Sequence, residues 1–338
     1  MQPPPLPDRI LIVRLGAIGD VVNALTVAAA LKDRDPAVRI GWLVHPLARP
    51  LVENNPVVDR VHVVPRQGLW KNLGPLRREL RAEGYGLTID LQRMQKSAVL
   101  GRLAGAPRYL GYDRARCKEG AWVWYREHIA TGPRREHMVL QYRRFGEYLG
   151  CDAPIRHSLP PDRPAERAWC EEWLAPWSGH APTIVHIGAS KPENRWNPER
   201  YAELVQGLLE RDSGPVLLTG GPGDRADAAP AEAIARGNNR FRSLVGQTDL
   251  LQLLTLLRRA RLYVSCDTGP MHMAAAVGCP VVALFGPADP CRTGPFGPGN
   301  VILRDPPAPA TGPLPSASME SVSSSGTLEA CLRMLNPS

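Results

Sequence analysis

The amino-acid sequence predicts an α/β protein built from two doubly wound, mostly parallel sheets. Apolar runs of strand length alternate with segments of helical periodicity, and the alternation restarts after a proline-rich stretch at 152–182. Several predicted strands end in glycine turns that open a helix. With 338 residues, the chain is long enough for two domains that each bury a core of their own.

The first half of the chain begins this alternation at residue 10. The apolar run 10–15 predicts a strand, and residues 21–32 predict a helix with one apolar face. Further elements of the first half are strands at 39–45, 61–65 and 87–92 and an amphipathic helix at 76–85. The proline-rich stretch 152–182 shows no clear strand and is interpreted as the interdomain linker.

The second half repeats the pattern from residue 183 onwards. The predicted strands lie at 183–188, 216–221, 261–266 and 281–286, and the predicted helices at 198–212, 249–260, 269–278 and 325–335. Residues 304–326 are rich in Pro, Ser, Gly and Ala and are expected to form a surface loop.

Composition excludes several classes of protein. The chain is 43% hydrophobic and 22% charged, as in soluble globular proteins, and no apolar run approaches the roughly 20 residues that span a bilayer. The N-terminal segment MQPPPLPDR lacks the apolar core of a signal peptide. The seven cysteines include no C-x-x-C pair, so neither a disulfide framework nor a zinc site is indicated, and reduced cysteines in a cytoplasmic protein are expected.

The net charge of +8 is unevenly distributed. Residues 1–150 contain 24 Lys and Arg against 14 Asp and Glu, whereas the remainder contains 17 against 19. The first half is therefore expected to meet an anionic partner: nucleic acid, a membrane surface or an acidic acceptor. Nucleic acid is disfavoured, because no helix-turn-helix, zinc finger or aromatic RNA-binding motif is present and only 6% of residues are aromatic.

The stretch LIVRLGAIGD at 11–20 forms the first strand-to-helix corner. The spacing of Gly16 and Gly19 is not the G-x-G-x-x-G dinucleotide fingerprint, which disfavours an NAD oxidoreductase. Asp20 would repel a phosphate at this helix entrance. Because it follows the carboxyl end of a strand, Asp20 is predicted to face an interdomain cleft; the alternative is that it is the N-cap of helix 21–32.

The stretch SCDTGPMHMAAA at 265–276 forms a second corner with the opposite character. Thr268 and Gly269 would present backbone N–H groups at a helix N-terminus, and His272 lies in the first turn. These groups suit a phosphate. The same sequence pattern would also be found in a helix that is simply well capped by Asp267 or Thr268.

Two more loops of the second half follow strands and are expected to converge on this corner. The loop after strand 183–188 offers a hydroxyl, an amide and two basic groups, and the loop after strand 216–221 ends in Asp224, which could hold ribose hydroxyls. The four residues of the first of these loops are Ser190, Lys191, Asn194 and Arg195. Convergence of three loops predicts a nucleotide-diphosphate site.

Four segments resemble the heptosyltransferase family of glycosyltransferases, glycosyltransferase family 9. They are LIVRLGAIGDVVNALTVAAALK, GASKPENRW, TGGPGD and SCDTGPMHMAAAVGCPVVALFGPADPCRTGPFG. Members of this family transfer heptose from ADP-heptose to the inner core of lipopolysaccharide. The segment LTIDLQRMQKSAVLGRLAGAPRYLGYD is similar to the branch that adds the first heptose, heptosyltransferase I.

The resemblance implies a glycosyltransferase B fold, with two Rossmann-like domains facing a cleft. It implies an acceptor domain at 1–160, a nucleotide-sugar domain at 175–320 and a C-terminal helix at 321–338. It also implies inverting transfer to the Kdo region of an anionic lipid A acceptor, by a cytoplasmic enzyme peripheral to the inner membrane. No metal and no cofactor other than the ADP-sugar substrate are expected.

The resemblance also implies a role for individual residues. Asp20 is the expected general base. The expected donor-binding residues are Ser190, Lys191, Asn194, Arg195, Asp224, Asp267, Thr268, Gly269 and His272. The expected acceptor-binding residues are Gly19, Lys96, Lys118 and His137. Arg66 is a further acceptor candidate because of its position in the loop after strand 61–65.

One position departs from the family pattern. Relatives usually carry Lys-Arg-Trp or Lys-His-Trp where this chain has Asn194, Arg195 and Trp196. Arg195 or Lys191 is expected to take over the diphosphate contact of the missing lysine. The alternatives are a related transferase that uses another nucleotide-sugar or acidic acceptor, and an inactive nucleotide-sugar-binding protein.

Overall fold

The structure is a computed structural model that describes residues 5–65, 67, 69–130, 132–177 and 180–336. Arg66, an expected acceptor residue, lies outside these ranges. The chain divides into two compact units, Met1–Pro161 and Asp162–Ser338. Within the described ranges, each unit contains one six-stranded sheet with helices around it.

The first unit alternates strands and helices along the chain. Its strands are β1 (Arg9–Val13), β2 (Arg39–Val44), β3 (Arg60–Val63), β4 (Leu87–Asp90), β5 (Arg108–Tyr112) and β6 (Glu127–Ile129). Its helices are α1 (Ile18–Arg34), α2 (Arg49–Val52), α3 (Leu69–Ala82), α4 (Gln95–Arg102) and α5 (Met138–Tyr148), with single 3₁₀ turns at Pro46–Ala48 and Ala121–Trp124. The strands lie in the order β3-β2-β1-β4-β5-β6, and every neighbouring pair is parallel.

The second unit has the same plan. Its strands are β7 (Thr183–His186), β8 (Val216–Thr219), β9 (Phe241–Ser243), β10 (Leu262–Cys266), β11 (Val281–Leu284) and β12 (Asn300–Leu303). Its helices are α6 (Pro164–Leu174), α7 (Pro198–Arg211), α8 (Arg225–Ile234), α9 (Leu250–Leu257), α10 (Gly269–Ala276), α11 (Pro290–Thr293) and α12 (Ser324–Leu335). Single 3₁₀ turns lie at Ala175–Trp177, Pro192–Asn194, Pro222–Asp224 and Met319–Ser321. The parallel strand order is β12-β11-β10-β7-β8-β9.

The central strands are buried on both faces, which explains why they read as continuous apolar runs. Every residue of β4, β7, β8, β10 and β11 is buried. Helices cover both sides of such a sheet, so side chains cannot alternate between core and water. Polar residues in these strands must therefore find partners inside the protein.

The strand order reverses direction at one place in each sheet. In the first unit the reversal lies between β1 and β4, where Val13 is paired with Asp90. In the second it lies between β7 and β10, where His186 is paired with Ser265. Loops at the carboxyl ends of these strands diverge to opposite faces and leave a crevice, the usual ligand site of a doubly wound sheet. Both predicted corners follow strands at these reversals.

The two parallel sheets confirm the predicted α/β class, and the differences lie at sheet edges and in the predicted linker. The sequence does not predict strands β5, β6, β9 and β12. β6, β9 and β12 are short and polar or partly exposed, and in β5 the apolar run is interrupted by a glycine. The stretch interpreted as linker contains α6, whose first residue is Pro164. A proline at the first helical position has a φ that suits the helix, so here it marks a start rather than a break.

None of the helices within the described ranges combines the length and the apolar character needed to cross a bilayer.

Candidate active site

Asp20 lies in the first turn of α1, which begins at Ile18 and has Ala17 as its N-cap. The suggestion that Asp20 is the N-cap is therefore wrong. The helix starts three residues earlier than predicted, because Ala17 accepts the first helical hydrogen bond from the Val21 amide (3.0 Å). The Asp20 carboxylate lies near the positive end of the helix and is about one-third exposed (34%).

A buried arginine at the end of β1 holds the Asp20 carboxylate. The Arg14 side chain is 6% exposed, and its Nη2 forms an ion pair with Asp20 Oδ2. Its Nη1 donates to the Leu91 carbonyl oxygen (3.0 Å), which fixes the guanidinium against the loop after β4. Burial alone would lower the pKa of Arg14, but Tyr142 and Asp20 raise the pKa above its usual value. The carboxylate is thus oriented from the protein side and remains reachable from solvent.

A second carboxylate, Asp90, organises the loop after β4 from inside the protein. Its Oδ1 accepts hydrogen bonds from the backbone amides of Gln92 (2.7 Å) and Arg93 (3.3 Å) and from Ser97 Oγ (3.2 Å). The side chain of Gln92 in turn accepts from the Leu15 amide (2.7 Å). Asp90 therefore shapes the loop that holds the end of β1. Its complete burial raises its pKa from the usual 3.8 to about 6.

The expected acceptor residues lie at several places in the first unit. Gly19 is buried next to Asp20 in α1. Lys96 in the first turn of α4 and Lys118 are both exposed, and the Lys118 amide donates to the Arg93 carbonyl (2.9 Å), which joins the loops after β4 and β5. His137 is the N-cap of α5, where its Nδ1 accepts from the Val139 amide (3.2 Å). Gly19, Lys96 and Lys118 thus belong to the carboxyl edge of this sheet.

The three expected donor loops follow neighbouring strands in the second unit. They leave the carboxyl ends of β7, β8 and β10, which are adjacent in the sheet. Thr268 is the N-cap of α10, and its Oγ1 accepts from the Met271 amide (3.4 Å). Gly269 is the first helical residue, Asp267 precedes the cap, and His272 is buried in the first turn. The helix N-terminus therefore adjoins the loops after β7 and β8.

The loop after β7 brings a basic residue onto two carboxylates. Arg195 donates from Nη2 to Asp224 Oδ1 (2.8 Å) and from Nη1 to Asp227 Oδ2 (2.7 Å). Asp224 also accepts from the Gly221 amide (2.8 Å) through Oδ2. Asn194 is buried, whereas Ser190 and Lys191 are exposed. The structure thus places Arg195 and Asp224 in direct contact, and it adds Asp227, which the sequence analysis missed.

Gly188 is required by this arrangement. Its φ is +104°, a region that residues with a side chain rarely adopt, and a Cβ there would lie 2.4 Å from Asp224 Oδ2. Asp224 can approach the loop after β7 only because residue 188 has no side chain.

His186 at the end of β7 was also missed by the sequence analysis. Its Nδ1 lies 3.0 Å from Thr219 Oγ1, and its burial lowers its pKa to about 4. The imidazole is therefore neutral at neutral pH. It lies at the ends of β7 and β8, directly before two of the donor loops. A histidine within the apolar run TIVHIG, like the arginine in LIVRL, is the signal that could have drawn attention to it. Within the described ranges, no three His, Cys, Asp or Glu side chains converge in a metal-binding arrangement.

The sequence matches the family model of glycosyltransferase family 9 (heptosyltransferase) over residues 74–313. The chain belongs to glycosyltransferase family 9. It is 30% identical over 309 residues to the lipopolysaccharide heptosyltransferase 1 of Pseudomonas aeruginosa, covering 87% of this chain and 83% of that protein. The family membership makes this protein a glycosyltransferase and confirms the family predicted from the sequence.

Solved structures of this glycosyltransferase family share the fold. The family 9 glycosyl transferase of Veillonella parvula superimposes with a TM-score of 0.82 at 21% identity, covering 97% of each chain. The Escherichia coli heptosyltransferase WaaC with ADP-2-deoxy-2-fluoro heptose gives a TM-score of 0.75 at 23% identity, covering 97% of this chain and all of that one (100%). The predicted glycosyltransferase B fold is therefore confirmed.

Replacing Asp90 with Asn should change how stability depends on pH. Between about pH 4 and pH 6 the folded protein binds one more proton than the unfolded chain, so its free energy of unfolding falls as pH rises. Asp90→Asn removes this loss. The stability of the variant relative to wild type should therefore rise by about 2–3 kcal/mol across this range, measured by urea unfolding.

Asp33→Asn is the matched control. Its hydrogen bond to Arg156 lowers the pKa of Asp33, so that variant should lose stability relative to wild type as pH rises. If the stability difference between Asp90→Asn and wild type did not change with pH, the pKa of Asp90 would not be raised in the folded protein.

Gly188→Ala should destabilise the second unit by about 1–3 kcal/mol, because the new methyl group strains the backbone and meets the Asp224 carboxylate. Gly223→Ala is the control, since a Cβ there meets nothing within 4 Å. Urea unfolding measures both. Equal stability of the two variants would show that Gly188 is not needed.

Proposed function

We propose that this glycosyltransferase moves heptose from ADP-heptose to the Kdo region of the lipopolysaccharide inner core, with inversion and with Asp20 as the general base. The observation that carries the proposal is the Asp20 carboxylate, held by Arg14 at the strand reversal of the first sheet and still one-third exposed. The names of the Pseudomonas relative and of the fluoro-heptose complex support the donor and the acceptor.

Inverting transfer needs one base near the acceptor hydroxyl. Asp20 would accept the hydroxyl proton as the oxygen attacks the anomeric carbon of heptose, a contribution of about 10²–10⁴ to the rate. Arg14 would hold one carboxylate oxygen and leave the other for the hydroxyl. Because the negative charge of Asp20 is already balanced, an anionic acceptor meets less repulsion at this point.

The second unit would bind the donor through its three loops. The N-terminus of α10 at Thr268 and Gly269, with His272 beside it, would stabilise the charge that develops on the departing ADP. Asp224 would accept ribose hydroxyls, and Lys191, Ser190, Asn194 and Asp267 would complete the surface around the diphosphate. The proposed reaction uses no metal and no cofactor other than the ADP-sugar substrate.

The acceptor would bind to the basic first unit. Lys96 and Lys118 are exposed and are well placed to meet Kdo carboxylates, with His137 and Gly19 contributing from α5 and α1. Such an acceptor is embedded in a bilayer, so the proposed location of the enzyme is the cytoplasmic face of the inner membrane.

Asp20→Asn should lower turnover by about a hundredfold or more, because the amide cannot take the proton while its shape preserves the contact with Arg14. Release of ADP from ADP-heptose in the presence of a Kdo-lipid acceptor measures turnover. Asp35→Asn, in the residue that follows α1, is the control and should be near normal. Near-normal turnover of the folded Asp20→Asn protein would remove Asp20 from the mechanism.

Asn194 favours a second candidate, a transferase for a different nucleotide-sugar, because a buried amide stands where relatives carry lysine. A panel of nucleotide-sugars, offered with the Kdo-lipid acceptor, distinguishes the two: transfer from another donor in preference to ADP-heptose would establish this candidate. Failure to turn over any donor that binds would instead indicate an inactive binding protein.

Arg195→Ala should weaken ADP binding about tenfold or more, since it leaves Asp224 and Asp227 without their shared cation beside the diphosphate. Asn194→Lys should bring little gain, because Arg195 already supplies positive charge in this loop. Calorimetric titration of ADP measures both, with Arg236→Ala as an exposed control. A tenfold gain from Asn194→Lys together with unchanged binding by Arg195→Ala would refute this role of Arg195.

A further inference from the structure

A cavity of about 510 Å³ in the first unit is lined by none of the expected base, donor or acceptor residues. Its basic lining residues are Arg77 and Arg81 from α3, Arg102 from the last turn of α4, and Arg126, which precedes β6. Trp124 and Pro107 contribute apolar surface. The volume is within the range of about 300–1,000 Å³ that is typical of small-molecule sites.

The cavity lies at the amino edge of the sheet. Pro107 immediately precedes β5, Arg126 immediately precedes β6, and Arg102 ends the helix that returns from the carboxyl edge. Asp20 follows the carboxyl end of β1, at the other edge of the same parallel sheet. A five-residue strand spans about 15 Å, so a small ligand in the cavity cannot also reach Asp20.

The four arginines are not neutralised within the described part of the chain. No carboxylate is among the residues that line the cavity, and no acidic side chain forms an ion pair with any of the four. Arg108 at the same sheet edge shows the contrast: its Nε and Nη2 donate to the two oxygens of Glu127, each at 2.8 Å. The fold pairs other arginines at this edge with carboxylates, Arg9 and Arg60 included, but leaves the four arginines of the cavity without such a partner among the described residues.

The chemistry of the lining specifies an anion with an organic part. Guanidinium groups bind phosphate oxygens bidentately, and this cavity is lined by four of them, from α3, α4 and the residue before β6. A bare inorganic ion has no apolar part that could contact the surface of Trp124 and Pro107. The Trp124 indole is fixed in this wall, because its Nε1 donates to Gln95 Oε1 (3.0 Å).

We propose that this cavity, the four-arginine pocket, binds an organic phosphate at a site separate from the transfer reaction. The ligand class is a phosphomonoester or phosphodiester joined to a small, partly apolar group. Two sources share this chemistry: the headgroup of an anionic phospholipid and a soluble organic phosphate. The assignment rests on the pocket alone and does not depend on the proposed donor, acceptor or base.

The experiment has two arms, each with the full-length protein. Calorimetric titration with sn-glycerol 3-phosphate tests a soluble ligand. Co-sedimentation with phosphatidylcholine vesicles, with and without phosphatidylglycerol, tests a headgroup. Arg81→Gln and Arg102→Gln alter two different walls, and Arg78→Gln is the matched control: it is exposed on the same helix as Arg81 but does not line the pocket.

We expect Arg81→Gln and Arg102→Gln each to weaken binding about tenfold in one arm or both, and Arg78→Gln to weaken it less than twofold. Loss in the titration identifies a soluble phosphate, and loss only with phosphatidylglycerol vesicles identifies a headgroup. Two variants on separate elements guard against a folding defect in one. Equal loss in Arg78→Gln, or no effect of the pocket variants in either arm, would overturn the proposal.

Discussion

The buried guanidinium of Arg14 joins three parts of the first unit that meet at the strand reversal. Arg14 directly follows β1, forms an ion pair with Asp20 in the first turn of α1, and donates to the Leu91 carbonyl in the loop after β4. A buried cation without such partners would be strongly destabilising, so the fold is constrained to keep all three together. The orientation of the Asp20 carboxylate therefore follows from the packing of the sheet and does not depend on a flexible loop.

The two units have the same strand order, but the helix N-termini at their carboxyl edges differ in charge. In the first, an acidic residue occupies the first helical turn and is balanced by Arg14, which suits a neutral hydroxyl that must lose a proton. In the second, the first turn of α10 carries no acidic residue, Asp267 lies outside the helix before its N-cap, and Asp224 and Asp227 are bound by Arg195. This leaves the positive end of α10 available to an anion. In the proposed reaction, one topology would thus supply both the base and the site for the leaving group.

The elements that could be predicted from the sequence are those marked by a pattern within a few consecutive residues. Central strands such as β1 and β10 are continuous apolar runs, and glycine turns mark their ends, so both corners were located before any geometry was known. Sequence analysis could not find contacts between distant segments: Arg14 with Leu91, or Gly188 beneath Asp224, depends on register between strands. Short edge strands such as β6 carry too few residues for any pattern. The proline-rich stretch 152–182 is interpreted as the linker from its composition, although Pro164 within it starts α6.

The positive charge of the first half can be related to ligands only when arginines that are bound to carboxylates are distinguished from those that are not. Arg14 and Arg108 are balanced by carboxylates and hold the fold together, so they add little to the field outside the protein. Lys96 and Lys118 at the carboxyl edge and the four-arginine pocket at the amino edge are two of the places where positive charge remains without a carboxylate partner in the part of the chain that the structure describes. Because the length of a strand, about 15 Å, separates the two edges of the sheet, one small anion cannot neutralise both. The two proposed ligands, the anionic acceptor and the organic phosphate, would each meet one of these two groups of positive charge.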